Sequence, residues 1–232
     1  MKRGILLAGA LLGTLLLLVL ALSRLNSLME PAASPVALRN TRPLVLDAGH
    51  GGEDGGAVSL TGVPESQINL AIVLKLRDVL GLYGVDPVVL REEDVSLHDE
   101  SADTLREKKR SDLKNRVAAI EAVEGGTLLS IHQNTYTSSR YHGSHVFYAP
   151  TEGSQELAEH FQNSIKAALQ PENERAVKRI PDTVYIMNHV TCPAVLIECG
   201  FLTNPEEESL LRDEGYQRRL SAVVAAAWLT AP

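Results

Sequence analysis

The chain has 232 residues, with 22 Lys and Arg against 29 Asp and Glu, and a formal net charge of −7 at pH 7. Five of those cations and one of those acids lie in residues 1–42, so residues 43–232 carry a formal charge of −11. This excess of acid argues against nucleic acid and anionic lipid as partners of that region. The length fits one domain with an appendage.

The first 23 residues have the pattern of a signal peptide or membrane anchor. Met1-Lys2-Arg3 precede an uncharged apolar run from Ile5 to Leu22, close to the ~20 residues that cross a bilayer. The apolar region of a cleaved signal is usually shorter, about 7–15 residues. Pro35 also disfavours cleavage at the best small-residue exit, Ala32-Ala33-Ser34. We therefore expect a membrane anchor with the rest outside the cytoplasm, and a cleaved, secreted form stays the alternative.

The remaining sequence predicts a linker and one domain of the α/β class. Short apolar runs alternate with helical patterns, which favours a mainly parallel twisted sheet covered by helices on both faces. The predicted linker is 24–42 and the domain 43–232; the predicted strands are 43–47, 87–91, 127–132, 144–149 and 194–198, and the predicted helices 65–83, 112–123, 153–169, 205–211 and 216–229. Residues 92–111 are charged and lack an apolar period, which predicts a solvated loop.

Polar side chains end three of these strands. The first runs LVLDAGH to His50, the third TLLSIHQN through His132, and the fifth AVLIECG to Glu198. If these strands are parallel, their carboxyl ends bring the three groups together on the side of the sheet where ligands bind. Glu65 is the first residue of the helix that follows the first strand. Two imidazoles and a carboxylate are a common catalytic zinc set. A second carboxylate that is not a ligand could then act as a general base on water.

The loop after the first strand is rich in glycine. Residues 47–56 contain five: Gly49, Gly51, Gly52, Gly55 and Gly56. Their spacing matches neither the dinucleotide fingerprint nor the phosphate-binding P-loop. Glycines let the backbone turn sharply and approach a ligand closely, so we expect His50 to be a metal ligand at the mouth of a cleft.

Four separated blocks together resemble the zinc-dependent N-acetylmuramoyl-L-alanine amidases. They are LVLDAGHGGEDGGAV, the downstream Glu65, SIHQN and PAVLIECGFLTNPEEESLL, in that order, and the match covers essentially 43–232. Within the family, the bare catalytic domain behind a membrane segment and the stretch RIPDTVYIMNHVTCPAVLIE are most similar to the germination-specific, spore-cortex amidases of endospore formers.

The resemblance implies His50, Glu65 and His132 as ligands of a Zn²⁺ cofactor and Glu198 as the catalytic carboxylate. The implied reaction hydrolyses the amide between the lactyl group of muramic acid and L-alanine of the peptidoglycan stem peptide. Zinc would polarise the carbonyl, and Glu198 would move a proton from water to the leaving amine. In the spore-specific relatives this step precedes formation of the muramic lactam, which implies the forespore envelope. Peptidoglycan is the implied partner, and the need for an accessory activator protein stays open.

Weaker candidates for contact with substrate are Asn134, His189 and Arg116. Asn134 could instead cap a turn, and Arg116 could form a structural ion pair. His189 lies near the last strand and could line the cleft. His142 and His145 would face opposite sides of a strand, which favours a structural or substrate-lining role over a second metal site.

The two cysteines, Cys192 and Cys199, are expected to be buried thiols, because residues on one strand rarely form a disulfide. Two other functions stay open from sequence. One is a zinc peptidase or deacetylase of the cell wall with the same ligands, and the other is a non-catalytic wall-binding protein with a degenerate metal site. The zinc content of the purified domain separates the wall-binding protein from the two enzymes, the amidase and the peptidase or deacetylase.

Overall fold

Six strands form one sheet in a computed structural model that describes Asn40 and residues 42–232. They are β1 (Leu44–Ala48), β2 (Val88–Val89), β3 (Thr127–Asn134), β4 (His145–Tyr148), β5 (Lys178–Arg179) and β6 (Ala194–Phe201). Their order across the sheet is β2-β1-β3-β6-β4-β5. Only the β4–β6 pair is antiparallel, which confirms the predicted mainly parallel sheet.

Six helices of the described region flank this sheet. They are α1 (Glu65–Leu82), α2 (Leu105–Glu121), α3 (Ser154–Leu169), α4 (Tyr185–His189), α5 (Pro205–Arg212) and α6 (Glu214–Thr230). The predicted anchor at 1–23 and nearly all of the linker lie outside the described residues. In the region from Asn40 onward, no helix combines the length and apolar character that a membrane crossing requires.

Alternation along the strands gives the sheet two buried faces. On one face Leu46, Leu129 and Ile197 belong to a core with α1, α3 and α6. On the other face Val45 and Leu196 pack with the apolar residues of α2 and α4. Helices on both faces explain why the central strands are largely apolar. The polar residues Asp47 and Ser130 are buried within β1 and β3.

Helix α2 corrects the prediction of a loop over 92–111, because it begins at Leu105. Its start is a capping box, in which the Thr104 hydroxyl accepts from the Glu107 amide and the Glu107 carboxylate accepts from the Thr104 amide. Its buried residues, Asp112, Arg116 and Ile120, all lie in the part that was predicted as helix, 112–123. Residues 105–111 are exposed or only partly buried, so the first turns of α2 have no apolar period that sequence patterning could detect.

Smaller differences between the predicted and the observed secondary structure concern the ends of strands and two short elements. Strands β3 and β6 extend beyond their predicted ends at 132 and 198, and β5 and α4 were not predicted. Both cysteines are free thiols; Cys199 is buried on β6, whereas Cys192 precedes the strand and is half-buried.

Candidate active site

The four principal candidates from the sequence lie together at the carboxyl ends of β1, β3 and β6. His132 on β3 lies opposite Glu198 on β6, His50 follows β1, and Glu65 is the first residue of α1. Nδ1 of His132 is 3.0 Å from Oε1 of Glu65, and Nε2 of His50 is 3.4 Å from Oε2. One ligand atom from each of these three residues lies within 4.8 Å of the other two. This group could hold a metal ion.

Glu65 is held from several sides. Its Oε1 accepts hydrogen bonds from the Gln133 amide (3.0 Å) and the Asn69 side chain (3.3 Å), and its Oε2 accepts from the Ala57 amide (3.0 Å). Burial alone would raise the pKa of Glu65, but the hydrogen bond with His132 and the charges of both imidazoles outweigh it and lower the pKa to about 2. The carboxylate is therefore ionised, as a metal ligand must be.

His50 has the left-handed backbone conformation, with φ of 63°, which is uncommon outside glycine. Its carbonyl accepts a hydrogen bond of 2.7 Å from Arg116 Nη2. A second buried arginine, Arg91, donates to the carbonyls of Ala48 (2.9 Å) and Gly49 (3.1 Å). Two guanidinium groups therefore hold the backbone that presents His50.

Arg116 owes its position to two acids. Its Nη1 is 2.5 Å from Asp47, and its Nε is 2.9 Å from Asp112. The side chains of Arg116 and Asp47 are 1% and 0% exposed, and Ser130 donates to the second Asp47 oxygen at 2.6 Å. Burial would lower the pKa of Arg116, but the two carboxylates raise it. The structural ion pair considered from sequence is present, and its role in binding substrate stays a prediction.

Two glycines show why this loop tolerates so few side chains. A Cβ at Gly49 would lie 2.2 Å from the His132 ring. Gly56 has φ of 69°, and a Cβ there would lie 2.6 Å from Oε2 of Glu65. Larger residues at either position would displace a candidate metal ligand, so these glycines allow the close approach expected from the sequence.

Asp54 was missed by sequence reasoning. Its Oδ2 accepts from Nδ1 of His50 at 3.1 Å and lies 3.2 Å from Nζ of Lys109 on α2. The hydrogen bond from His50 lowers the pKa of Asp54 well below its usual range, although partial burial opposes this. A carboxylate on the second ring nitrogen is the usual support of a metal-binding histidine. The signal available in the sequence was an acid four residues after His50, inside the glycine loop.

Glu198 differs from the other carboxylates of the site. Its Oε2 is buried and has no hydrogen-bond partner among the described residues. Burial raises the pKa of Glu198 to about 7, with the Glu65 charge adding to this and His132 opposing it. A carboxyl group whose pKa lies near neutrality can both accept and donate a proton, which suits a general base.

A cleft of about 310 Å³ opens over these groups. One wall comes from α2, with Lys109 and Leu113, and the other from residues 183–187, whose place at the cleft was not predicted from the sequence. His189 is exposed beyond that wall, where its ring stacks on Tyr185 with centroids 3.8 Å apart. Asn134 ends β3, and its carbonyl accepts from the Leu202 amide at 2.8 Å. Contact of His189 or Asn134 with substrate stays a prediction.

The site combines a group that could hold a metal ion with a buried carboxyl group that can exchange protons, which is the machinery of a hydrolase. Residues 44–229 match the family model described as N-acetylmuramoyl-L-alanine amidase. The germination-specific N-acetylmuramoyl-L-alanine amidase of Bacillus subtilis (strain 168) is 35% identical over 182 residues, which are 78% of this chain and 76% of that protein. The chain therefore belongs to the N-acetylmuramoyl-L-alanine amidase family and is such an enzyme.

Solved structures agree with this assignment. The CwlD amidase from Clostridioides difficile, determined in complex with the GerS lipoprotein, matches with a TM-score of 0.76 and 38% identity, covering 80% of this chain and 95% of that one. An N-acetylmuramoyl-L-alanine amidase from Clostridium difficile 630 matches with a TM-score of 0.71 and 29% identity, covering 82% and 96%. The predicted family and its likeness to spore-cortex amidases are thus confirmed.

Proposed function

We propose that this amidase is zinc-dependent, with His50, Glu65 and His132 as the metal ligands and Glu198 as the catalytic residue. The convergence of two imidazole nitrogens and an ionised carboxylate within 4.8 Å carries this proposal. This donor set is typical of catalytic zinc, which keeps a further coordination position free. The hydrogen bond between His50 and Asp54 supports the same assignment.

Zinc, when bound, would polarise the amide carbonyl and lower the pKa of water beside it. Glu198 would take the proton of the attacking water and deliver it to the nitrogen of L-alanine as the amide bond breaks. Its position opposite His132 on the neighbouring strand supports this role, as does the buried Oε2, which has no hydrogen-bond partner within the described region.

We further propose that the enzyme acts outside the cytoplasm, in the forespore envelope, on peptidoglycan of the spore cortex. The likeness to the germination-specific amidase of Bacillus subtilis supports the cortex role, and the apolar segment predicted at 1–23 supports the location. The matching amidase from Clostridioides difficile is in complex with a lipoprotein, which supports an accessory protein as a partner here.

The test of zinc-dependent hydrolysis begins with the metal content of the purified chain. The protein is then incubated with purified peptidoglycan beside Glu198→Gln and a control, Glu206→Gln, which alters an exposed acid on α5. We expect one zinc per chain in all three proteins. New L-alanine amino groups should appear with wild type and Glu206→Gln, and about 10²- to 10⁴-fold more slowly with Glu198→Gln.

The other outcomes separate the alternatives. Release of acetate or of a terminal amino acid would support a deacetylase or a carboxypeptidase, and absence of both zinc and product would contradict the proposal. The cortex role is tested by expressing the chain in Bacillus subtilis without its germination-specific amidase. Restored muramic lactam in the spores is the expected result, and its absence would contradict the cortex role while leaving amidase activity intact.

A further inference from the structure

A basic groove leads out of the cleft along α2. We use this name for the shallow depression formed by Arg106, Lys109, Arg110, Leu113 and Tyr185. Three of these residues, Lys109, Leu113 and Tyr185, also line the cleft above the candidate metal group. The groove and the cleft are therefore continuous, and a substrate bound at Glu198 can extend into the groove.

The charge of the groove is opposite to that of the domain. Residues 43–232 carry −11, whereas the groove presents three exposed cations on one helix face. Lys109 is paired with Asp54 at 3.2 Å. Arg106 and Arg110 form no ion pair with any residue in the described part of the chain. Two unpaired guanidinium groups beside a catalytic cleft can bind carboxylates of a ligand.

The chemistry of the substrate decides which part carries those carboxylates. In a muramoyl peptide the lactyl carboxyl is consumed in the amide bond, so the N-acetylated sugars are neutral. The negative charges lie on the stem peptide, in its acidic residues and its C-terminus. A groove lined by cations therefore matches the peptide half of the substrate and gives the neutral glycan half no advantage.

We propose that the basic groove binds the carboxylates of the stem peptide, with Arg106 and Arg110 as specificity-determining residues. This rests on the proposed function at Glu198. Leu113 and Tyr185 form the apolar floor between the two arginines and the cleft. Binding of the peptide there sets the direction in which the substrate lies across the site, with the leaving amine inside the cleft and the peptide along α2.

The experiment compares two soluble substrates with the purified full-length chain. One is N-acetylmuramoyl-L-alanyl-D-glutamate, and the other is its diamide, in which both carboxylates are neutral. The variant is Arg106→Gln/Arg110→Gln. Its matched control is Arg218→Gln/Arg219→Gln, which removes two exposed arginines from α6 on the other face of the sheet. Both double variants change the net charge equally.

We expect the groove variant to raise KM for the free acid about threefold to tenfold, with kcat within twofold of wild type, since exposed ion pairs are individually weak. For wild type, the KM for the diamide should exceed the KM for the free acid by a similar factor. The KM of the groove variant for the diamide should equal that of wild type. The difference should shrink in 0.5 M salt because screening weakens exposed pairs. An unchanged KM for the free acid, or an equal rise in the α6 control, would overturn the proposal.

A binding measurement separates this inference from the proposed reaction. The dipeptide L-alanyl-D-glutamate is titrated into wild type and both double variants, and amide shifts are followed by NMR. Shifts along α2 that are lost only in the groove variant would support the groove even if no substrate were hydrolysed. Shifts that persist in the groove variant would overturn it even if hydrolysis were observed.

Discussion

The two imidazoles of the candidate metal group are held in different ways. His132 lies on β3, in the middle of the sheet, and strand register alone places it opposite Glu198. His50 lies in a loop, in a left-handed conformation, and its backbone is held by Arg116. One side of the site is therefore positioned by main-chain hydrogen bonds, and the other by a buried network of charged side chains.

This contrast indicates where the site should be vulnerable. A strand position tolerates changes around it because the ladder of hydrogen bonds persists. A loop position held by charges does not, since removing one charge leaves its partners buried and unpaired. Substitutions on the loop side should therefore cost stability, and removal of the carboxyl on the strand side should not.

The largest effect is expected for Arg116→Met, which keeps much of the apolar stem and removes the guanidinium. Asp47 would then be a buried carboxylate without its partner, so the free energy of unfolding should fall by about 3–5 kcal/mol. Urea unfolding measures this, with Arg110→Met, an exposed arginine on the same helix, as the control. A loss below about 1 kcal/mol would show that the network does not hold the loop.

On the strand side, removal of the Glu198 carboxyl is expected to raise the free energy of unfolding. In the metal-free chain the pKa of Glu198 is about 7 against an ordinary 4.5, so the folded state keeps a proton that the unfolded state releases between these pH values. Stability from this group is therefore present below about pH 4.5 and lost as the pH rises through 7, by at most about 3 kcal/mol.

Glu198→Gln removes this ionisation. The metal-free variant should therefore be more stable than wild type at pH 8, by up to about 3 kcal/mol, and equal to it at pH 4. Urea unfolding in the presence of a chelator measures the difference at both pH values. Glu206→Gln on α5 serves as the exposed control, and a difference of equal size at pH 4 and pH 8 would exclude the ionisation as its cause.

A smaller effect, on zinc affinity, is expected to differ between two adjacent acids of the loop. Asp54 accepts from His50, whereas Glu53 pairs with Lys108 at 2.8 Å and does not contact the metal group. Asp54→Asn should weaken zinc binding about 10- to 100-fold, and Glu53→Gln should leave it unchanged. Competition with a chromogenic chelator measures both, and equal losses would point to net charge and not to orientation of His50.

The same contrast explains what could be predicted from the sequence. The strand-held groups His132 and Glu198 were found because apolar runs ended on polar residues, and parallel strands place such ends together. An ion pair of Arg116 was considered, but its partners were not predicted, because the contacts of this network join residues far apart in the chain, as between Asp47 and Arg116. Helix α2 begins earlier than predicted because its first turns, residues 105–111, have no buried apolar side chains and so no apolar period.

Strand β6 enters the sheet between β3 and β4, although it is the last strand in the chain. A growing polypeptide thus completes His50, Glu65 and His132 well before it contains Glu198. Such a chain contains the three proposed zinc ligands, yet it lacks the proposed proton acceptor and the strand that pairs with one side of β3. The proposed proton acceptor and the strand that joins β3 to β4 therefore enter the growing chain together.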